Sequence, residues 1–216
     1  MEEEALRPYL PEGWEPDRGF LPLGVDGMAL MGLEAFECES GVGLNGTVAP
    51  MAYGSFWTAA LPPEPLREEN TVYTVRWDTL VPDADRRAVL LEAGMPARAG
   101  TASVGRSATS EPGLVEASYT FEGVGTITMR GAVGRDVGAV TDLKLVEFTP
   151  TERGLGIWRA NWTATDYFAG NGVATVPAGS LPALVAGRTE FPITLTTGVW
   201  TFTEGTLTLP TRERAA

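Results

Sequence analysis

Hydrophobic and polar residues alternate along most of the chain in short segments that glycine and proline separate. Alternation with a period of two is typical of β-strands, because successive side chains point to opposite faces. The pattern predicts strands at residues 28–38, 41–44, 51–60, 72–79, 99–107, 114–121, 126–130, 140–149, 156–165, 193–197, 199–203 and 206–209. Asn45-Gly46 predicts a two-residue hairpin turn, since both turn positions require a positive φ.

Helical signals are few, and they cover residues 2–10, 83–94 and 180–187. The second is the clearest: Asp83 or Asp85 can cap the first turn, and Gly94 can end the helix in the left-handed region. Ser180 can cap the third helix. A dozen short strands with so few helices predict a mainly β fold. We expect residues 1–216 to form one domain, an antiparallel β-barrel or double sheet with two or three short helices.

Composition excludes several familiar chemistries. The chain has no histidine, one cysteine (Cys38) and one lysine (Lys144) against fifteen arginines. A Ser-His-Asp triad, an imidazole metal site and an internal disulfide are therefore impossible. The run 41–46 matches G-x-G-x-x-G, but no helix follows it, so the hairpin is the better interpretation. We expect no cofactor and no metal, and any catalysis has to use carboxylates, hydroxyls, arginine, Lys144 or Cys38.

The net charge of −12 restricts the partners. Binding to nucleic acid or to anionic membranes needs a basic surface, so neither is expected. The N-terminus is acidic and lacks the apolar run of a secretory signal, and no apolar stretch approaches the length that spans a bilayer. The sequence therefore predicts a cytoplasmic protein whose partner is a small molecule.

Tryptophan and arginine inside predicted strands are the candidate ligand-binding residues. Trp57 and Trp77 have two equal interpretations, ordinary core or the wall of a ligand cavity. Arg76 and Arg159 also lie within strands. The simpler interpretation places Arg76 outside in solvent, and the sharper one places it inside a barrel to hold a ligand carboxylate. Lys144 is interpreted as solvated or salt-bridged.

Two stretches of the first half of the chain resemble the acetoacetate decarboxylase superfamily. Residues 6–16 (LRPYLPEGWEP) and the strand at 28–38 are similar to the opening helix, LP-x-G turn and first long strand of that family. The strand at 72–78, the helix after Asp83 and residues 94–100 (GMPARAG) are similar to its strand, helix and P-K-K-x-G segment. The resemblance implies the β fold of that family, with an internal pocket, and a dimer or larger homo-oligomer.

The resemblance also implies positions for the chemistry. The lysine that forms the Schiff base in the family corresponds to Ala97, and the second lysine to Arg98. The family's glutamate two residues after a tyrosine corresponds to Ser55, after Tyr53. An imine is therefore not expected at this site, while Arg98 remains to anchor a carboxylate or enolate and Tyr53 remains as a hydrogen-bond donor. Arg98 and Tyr53 are thus the predicted catalytic residues, with Ser55 beside them.

Three functions stay open from the sequence. The first is an enzyme that acts on a small oxygenated or polyketide-like substrate without Schiff-base chemistry, as a cyclase, lyase or hydratase. The second is a non-catalytic binding or carrier protein, for which the same aromatic cavity suffices. The third, ranked behind both, is a decarboxylase in which Lys144 serves as the amine.

Overall fold

A computed structural model describes residues 2–17, 29–38, 41–43, 46–48, 51–106 and 113–209. The helices are α1 (Glu3–Leu6), α2 (Ala84–Glu92) and α3 (Leu181–Ala186), with 3₁₀ helices at Arg7–Tyr9 and Glu64–Leu66. The strands are β1 (Glu15–Pro16), β2 (Met31–Cys38), β3 (Gly41–Gly43), β4 (Gly46–Val48), β5 (Met51–Leu61), β6 (Thr71–Leu80), β7 (Ala97–Arg98), β8 (Gly100–Arg106), β9 (Gly113–Phe121), β10 (Gly125–Asp136), β11 (Val140–Thr151), β12 (Gly154–Thr175) and β13 (Glu190–Thr208).

Eleven strands form one sheet in the order β1-β5-β6-β11-β12-β10-β9-β8. Strand β2 pairs with β5, β7 with β6, and β13 with β12, while β3 and β4 form a separate hairpin. The mainly β fold is confirmed. The expected antiparallel arrangement differs at β6, which is parallel to both β11 and β7, so the sheet is mixed.

The sheet is curved but not closed into a barrel, because its strands β2 and β8 are not hydrogen-bonded to each other as a ladder among the described residues. The two strands nevertheless approach each other. Their contact includes a hydrogen bond from the Val104 N–H to the Glu37 carboxylate at 3.4 Å. The interior is therefore open along one seam, where side chains rather than paired backbones meet.

The predicted helix caps are confirmed. Asp83 accepts a hydrogen bond from the Arg86 N–H at 2.8 Å and begins α2. Ser180 accepts one from the Ala183 N–H at 3.4 Å and begins α3, which ends at Gly187 with a φ of 67°. The helix predicted at 2–10 is shorter, since α1 continues only as a 3₁₀ turn. Strands β3 and β4 pair as a hairpin, but Gly46 pairs with Gly43 and so belongs to the strand, not to the predicted Asn45-Gly46 turn. Asn45 lies outside the described residues.

Strands β12 and β13 are much longer than the alternation predicts. Their pairing continues through two irregularities, one between Arg159 and Asn161 and one between Thr165 and Phe168. Asp166 adopts a φ of 49° at the second. A β-bulge inserts an unpaired residue and shifts the alternation by one position. The interrupted alternation ended the predicted strand at 165, and it divided β13 into three, where the backbone continues unbroken.

Apolar side chains cover both faces of the middle of the sheet. The largest core cluster lies among β6, β8–β10, β12, β13 and α3 and includes Tyr119, Phe121, Ile127, Met129 and Phe191. On the other face of β6 and β11, the N-terminal segment places Trp14 against Tyr73, Val75, Val146 and Phe148. Strand β6 is therefore buried on both faces. No helix among the described residues has the length and apolar character needed to cross a bilayer.

A glycine on β5 tests the packing of the largest core cluster. A Cβ at Gly54 would lie 2.6 Å from Tyr119 Cγ, and Gly113 has nothing within 4 Å. We expect Gly54→Ala to lower the free energy of unfolding by about 1–3 kcal/mol because the buried tyrosine has to move. Gly113→Ala is the matched control and should change the free energy little. Urea unfolding of both variants measures the difference, and equal effects would contradict this packing.

Candidate functional site

Arg76 lies in the centre of the sheet and is only 8% exposed. Its Nε and Nη2 each lie 2.5 Å from a carboxylate oxygen of Glu147 on the neighbouring strand β11. The prediction of a solvated Arg76 is therefore wrong. It failed because both faces of β6 are covered, so alternation along the strand does not separate an inside from an outside. The arginine and Glu147 form a bidentate, charge-assisted pair of the kind that holds both planar groups rigidly.

Two further strands bring a tyrosine, a serine and a second carboxylate to this pair. Tyr53 on β5 accepts a hydrogen bond from Arg76 Nη1. Glu34 on β2 is the cross-strand neighbour of Ser55, and it accepts a hydrogen bond from the Ser55 hydroxyl at 2.7 Å. Its carboxylate also lies 3.6 Å from Arg76 Nη2. We call Arg76, Glu147, Glu34, Tyr53 and Ser55 the charged cluster.

The charges of the cluster shift its protonation equilibria. Burial alone would lower the pKa of Arg76, but the interactions with Glu147, Tyr53 and Glu34 together outweigh burial and hold that pKa above its ordinary value. Burial raises the pKa of Glu34, and the Arg76 charge offsets this only in part. Burial also raises the pKa of Tyr53, so its phenol stays protonated. One arginine already matched by Glu147 cannot fully stabilise a second carboxylate, which favours the neutral form of Glu34.

A cavity of about 770 Å³ lies beside the cluster. Strand β2 lines one side and β13 another, with apolar side chains of β8–β10 between them. Of the five residues of the charged cluster, only Glu34 is among the described residues that line the cavity. Glu34 therefore connects the buried polar network to the space in which a ligand fits.

Aromatic rings separate the rest of the cluster from the cavity. The Phe36 ring stacks on the Tyr53 ring at 5.9 Å and contacts the Trp200 ring at 5.0 Å. Phe36, Trp200 and Trp57 line the cavity, whereas Tyr53 does not. Trp57 lies against Gly32, where a Cβ would be 2.1 Å from the indole Cε2. Glycine at this position of β2 is thus required for the tryptophan to lie flat beside Glu34.

The structure brings only some of the predicted site residues together. Arg76, Tyr53 and Ser55 belong to the charged cluster, and Trp57 lines the cavity. Trp77 instead donates from Nε1 to the Thr58 hydroxyl at 3.1 Å. It packs on the cluster of Trp14, Tyr73, Val75, Val146 and Phe148, which we call the outer core cluster. It lies at an irregularity between β5 and β6, where Arg76 is opposite Trp57 and Asp78 is opposite Phe56.

The other predicted cations lie elsewhere. The Arg98 side chain is 47% exposed and pairs with Asp78, and that of Arg159 is 44% exposed and lies 3.7 Å from Glu68. Neither is among the described residues that line the cavity. Ala97, the position that corresponds to the family's lysine, is buried. Lys144 is exposed on β11.

Sequence reasoning missed the two carboxylates of the cluster. Glu34 lies between Leu33 and Ala35, and Glu147 lies between Val146 and Phe148. Each is an acid with apolar neighbours on both sides within a strand, a signal similar to the one that marked Arg76. One signal in the sequence could have pointed to these glutamates. A buried arginine requires a buried acid, so an arginine in a central strand predicts an acid in a neighbouring central strand.

Among the described residues there is no group of three or more cysteine, aspartate or glutamate side chains placed to hold an ion. The two glutamates of the cluster are instead held by Arg76 and Ser55. The site can therefore move protons and stabilise negative charge with its own side chains.

Comparison with known proteins identifies the fold. No family model matches the chain, and no curated protein matches it. Among solved structures, an acetoacetate decarboxylase-like enzyme from Sphingomonas wittichii RW1 superposes with a TM-score of 0.61 at 13% identity, covering 98% of this chain and 88% of that one. The chain therefore has the fold of the acetoacetate decarboxylase-like enzymes.

A second similar structure is the enduracididine biosynthesis enzyme MppR. Its HEPES-bound form has a TM-score of 0.57 at 13% identity, covering 97% of this chain and 83% of MppR. Its pyruvate complex has a TM-score of 0.55 at 13% identity, covering 96% and 84%. The resemblance seen in the sequence is confirmed at the level of the fold, and it covers the second half of the chain as well as the first.

The buried ion pair gives a first test of the site. We expect Arg76→Leu to lower the free energy of unfolding by about 3–5 kcal/mol because Glu147 is left buried without a partner. The double variant Arg76→Leu with Glu147→Leu should lose less than the single variant. Arg98→Leu, in a half-exposed pair, is the control and should cost about 1 kcal/mol or less. Urea unfolding measures all three, and a double variant less stable than Arg76→Leu would contradict the pairing.

The raised pKa of Glu34 gives a second test. Its carboxyl stays protonated in the folded protein at pH values where the unfolded chain, near 4.5, already ionises. The stability that this group contributes is present below the unfolded value and is lost as pH rises toward the folded value. Glu34→Gln cannot ionise, so its Tm relative to the parent should rise between pH 5 and pH 8. Glu37→Gln, exposed on the same strand, should show no such trend.

Proposed function

We propose that the chain is a cofactor-independent enzyme that moves a proton on a small oxygenated molecule, with Glu34 as acid and base and without an imine. The observation that carries the proposal is the position of Glu34. It has a buried carboxyl with a raised pKa, and it is the member of the charged cluster that lines the cavity. Perturbed carboxyls in a cavity are typical of acid–base catalysis.

The surroundings of Glu34 suit both of its protonation states. Burial favours the neutral carboxyl, while Arg76 and the Ser55 hydroxyl favour the carboxylate. Because each form has a stabilising influence, the carboxyl can both give up and take back a proton, as acid–base catalysis requires. In the proposed step the carboxylate takes a proton from the carbon beside a substrate carbonyl. The neutral carboxyl then returns a proton to carbon or oxygen, as cyclisation, elimination and hydration all require.

The remaining cluster residues act through Glu34. Arg76 and Tyr53 do not line the cavity among the described residues, so we assign them as positioning residues. Arg76 holds Glu147 and approaches Glu34 at 3.6 Å. Its charge stabilises the carboxylate form of Glu34 after a proton has left. This proposal moves the chemistry from Arg98 and Tyr53, as implied by the resemblance, to Glu34.

The position of Lys144, whose side chain carries the amine that an imine would need, supports chemistry without an imine. The one lysine of the chain, Lys144, is exposed on β11 and is not a cavity-lining residue. An imine requires a lysine amine within reach of the carbonyl carbon. MppR has been solved in complex with pyruvate and with the condensation product of pyruvate and imidazole 4-carboxaldehyde. By this analogy we propose a carbonyl compound as the substrate.

Hydrogen–deuterium exchange on an oxo acid tests the function. We expect the protein in D₂O to exchange the C3 protons of 2-oxo-4-phenylbutanoate faster than buffer, as followed by ¹H NMR. Glu34→Gln should lower the rate about 100-fold or more, the usual contribution of a general acid or base. Glu37→Gln is the matched control on the same strand and should retain the rate.

The same experiment separates the alternatives. Exchange that persists in Glu34→Gln would exclude Glu34 as the acid–base residue. Binding of the oxo acid without any exchange would favour the non-catalytic carrier. Borohydride with pyruvate should leave the mass of the protein unchanged, and a covalent adduct on Lys144 would restore the decarboxylase hypothesis.

A further inference from the structure

The entrance of the cavity carries one arginine with a fixed backbone. Arg188 follows Gly187, which ends α3 with a φ of 67°. Its N–H donates to the Ala183 carbonyl at 3.2 Å, a bond typical of a glycine-ended helix. Arg188 is exposed and lines the cavity. Since Glu34 lies inside with a nearly buried side chain, Arg188 marks the end of the cavity that opens to solvent.

Arg188 differs from the other arginines near the site, since it has no ion-pair partner among the described residues. Arg76, Arg98 and Arg159 are all paired with carboxylates. Within the described part of the chain, no carboxylate lies within 4.0 Å of the guanidinium of Arg188. A free guanidinium offers two parallel N–H donors that match a carboxylate.

The walls of the cavity suit a ligand with an apolar body. Met129, Val115 and Leu195 are apolar lining residues, and Thr194 and Thr196 on β13 line it with hydroxyls. A volume of about 770 Å³ is in the range that holds ligands much larger than pyruvate. The ligand therefore needs apolar surface in addition to its polar groups.

We propose that Arg188 binds the carboxylate of the substrate at the entrance, so that the protein selects organic acids with an apolar body. The proposal rests on the proposed function for the reacting end, which it assigns to Glu34. The chain has a net charge of −12, and its general field repels anions. A local cation is therefore needed for an acid to enter. Glu2 also lines the cavity and opposes Arg188 in this effect.

Binding of a matched acid and amide tests the proposal. The probes are 2-oxo-4-phenylbutanoate and its primary amide, which have nearly the same shape and differ in charge. Affinity is measured by calorimetry, and by quenching of tryptophan fluorescence because Trp57 and Trp200 line the cavity. We expect Arg188→Ala to weaken binding of the acid about fivefold, the effect of losing one exposed ion pair. Binding of the amide should change less than twofold.

Further variants sharpen the result. Arg188→Lys should retain most of the affinity for the acid, Arg188→Glu should lose more than the alanine variant, and Glu2→Gln should gain affinity. Arg130→Ala is the matched control, since Arg130 is exposed in a separate groove on the sheet. Raising the salt concentration from 50 to 500 mM should weaken acid binding in the parent more than in Arg188→Ala, because salt screens exposed charge.

The outcomes separate this proposal from the proposed function. Equal affinities of the parent and Arg188→Ala for the acid would overturn the role of Arg188, as would equal losses for acid and amide. A parent that binds neither the acid nor the amide would also overturn it. Glu34→Gln should still bind the acid while losing exchange. If exchange persists in that variant while Arg188 still discriminates acid from amide, the proposed function fails and the role of Arg188 stands.

Discussion

The bidentate pair of Arg76 and Glu147 is the interaction on which the site depends. It joins β6 to β11, the parallel neighbours at the centre of the sheet. Burying two charges is costly, and their mutual attraction compensates only when the geometry holds both groups in place. Central strands covered on both faces provide that rigidity. The outer core cluster around Trp14 and Phe148 therefore supports the chemistry indirectly, because it fixes the two strands that carry the pair.

Burial raises the pKa of Glu34 even beside an arginine, because Arg76 is already engaged by other partners. A single carboxylate next to a guanidinium normally ionises readily. Here Arg76 donates from Nη2 to Glu147 and from Nη1 to Tyr53, and its Nε lies 2.5 Å from the second Glu147 oxygen, so Glu34 meets a cation whose charge is already shared. The Ser55 hydroxyl provides the closest contact of Glu34. The cluster thus pairs Glu147 with the guanidinium and raises the pKa of Glu34, the member that lines the cavity among the described residues.

The sequence predicts the fold well where the structure is local. The caps at Asp83 and Ser180 depend on neighbouring residues, and both are confirmed. The long pair of β12 and β13 was predicted as fragments, because a bulge at Asp166 interrupts the alternation while tertiary pairing continues. The parallel pairing of β6 depends on contacts far apart in the chain, which local alternation does not report.

The site was predicted less completely for the same reason. Arg76, Tyr53, Ser55 and Trp57 were identified, but Glu34 is separated from Ser55 by 21 positions and contacts it only through the pairing of β2 with β5. Arg98 looked functional because of its place in the resemblance, yet it pairs with Asp78 and is half exposed. A motif read along one strand cannot show which residue of another strand lies opposite.

The contact between α1 and α3 has a practical consequence for handling the protein. Leu6 is fully buried against Ala29 and Val185, and Glu2 lies on the cavity wall. Any purification tag or fusion partner joined immediately before α1 is thereby placed at the mouth of the cavity, where it competes with ligands for the opening. Residues at the end of β13 pair with the start of β12 and do not line the cavity. Attachment beyond β13 therefore starts from a strand end that does not line the cavity.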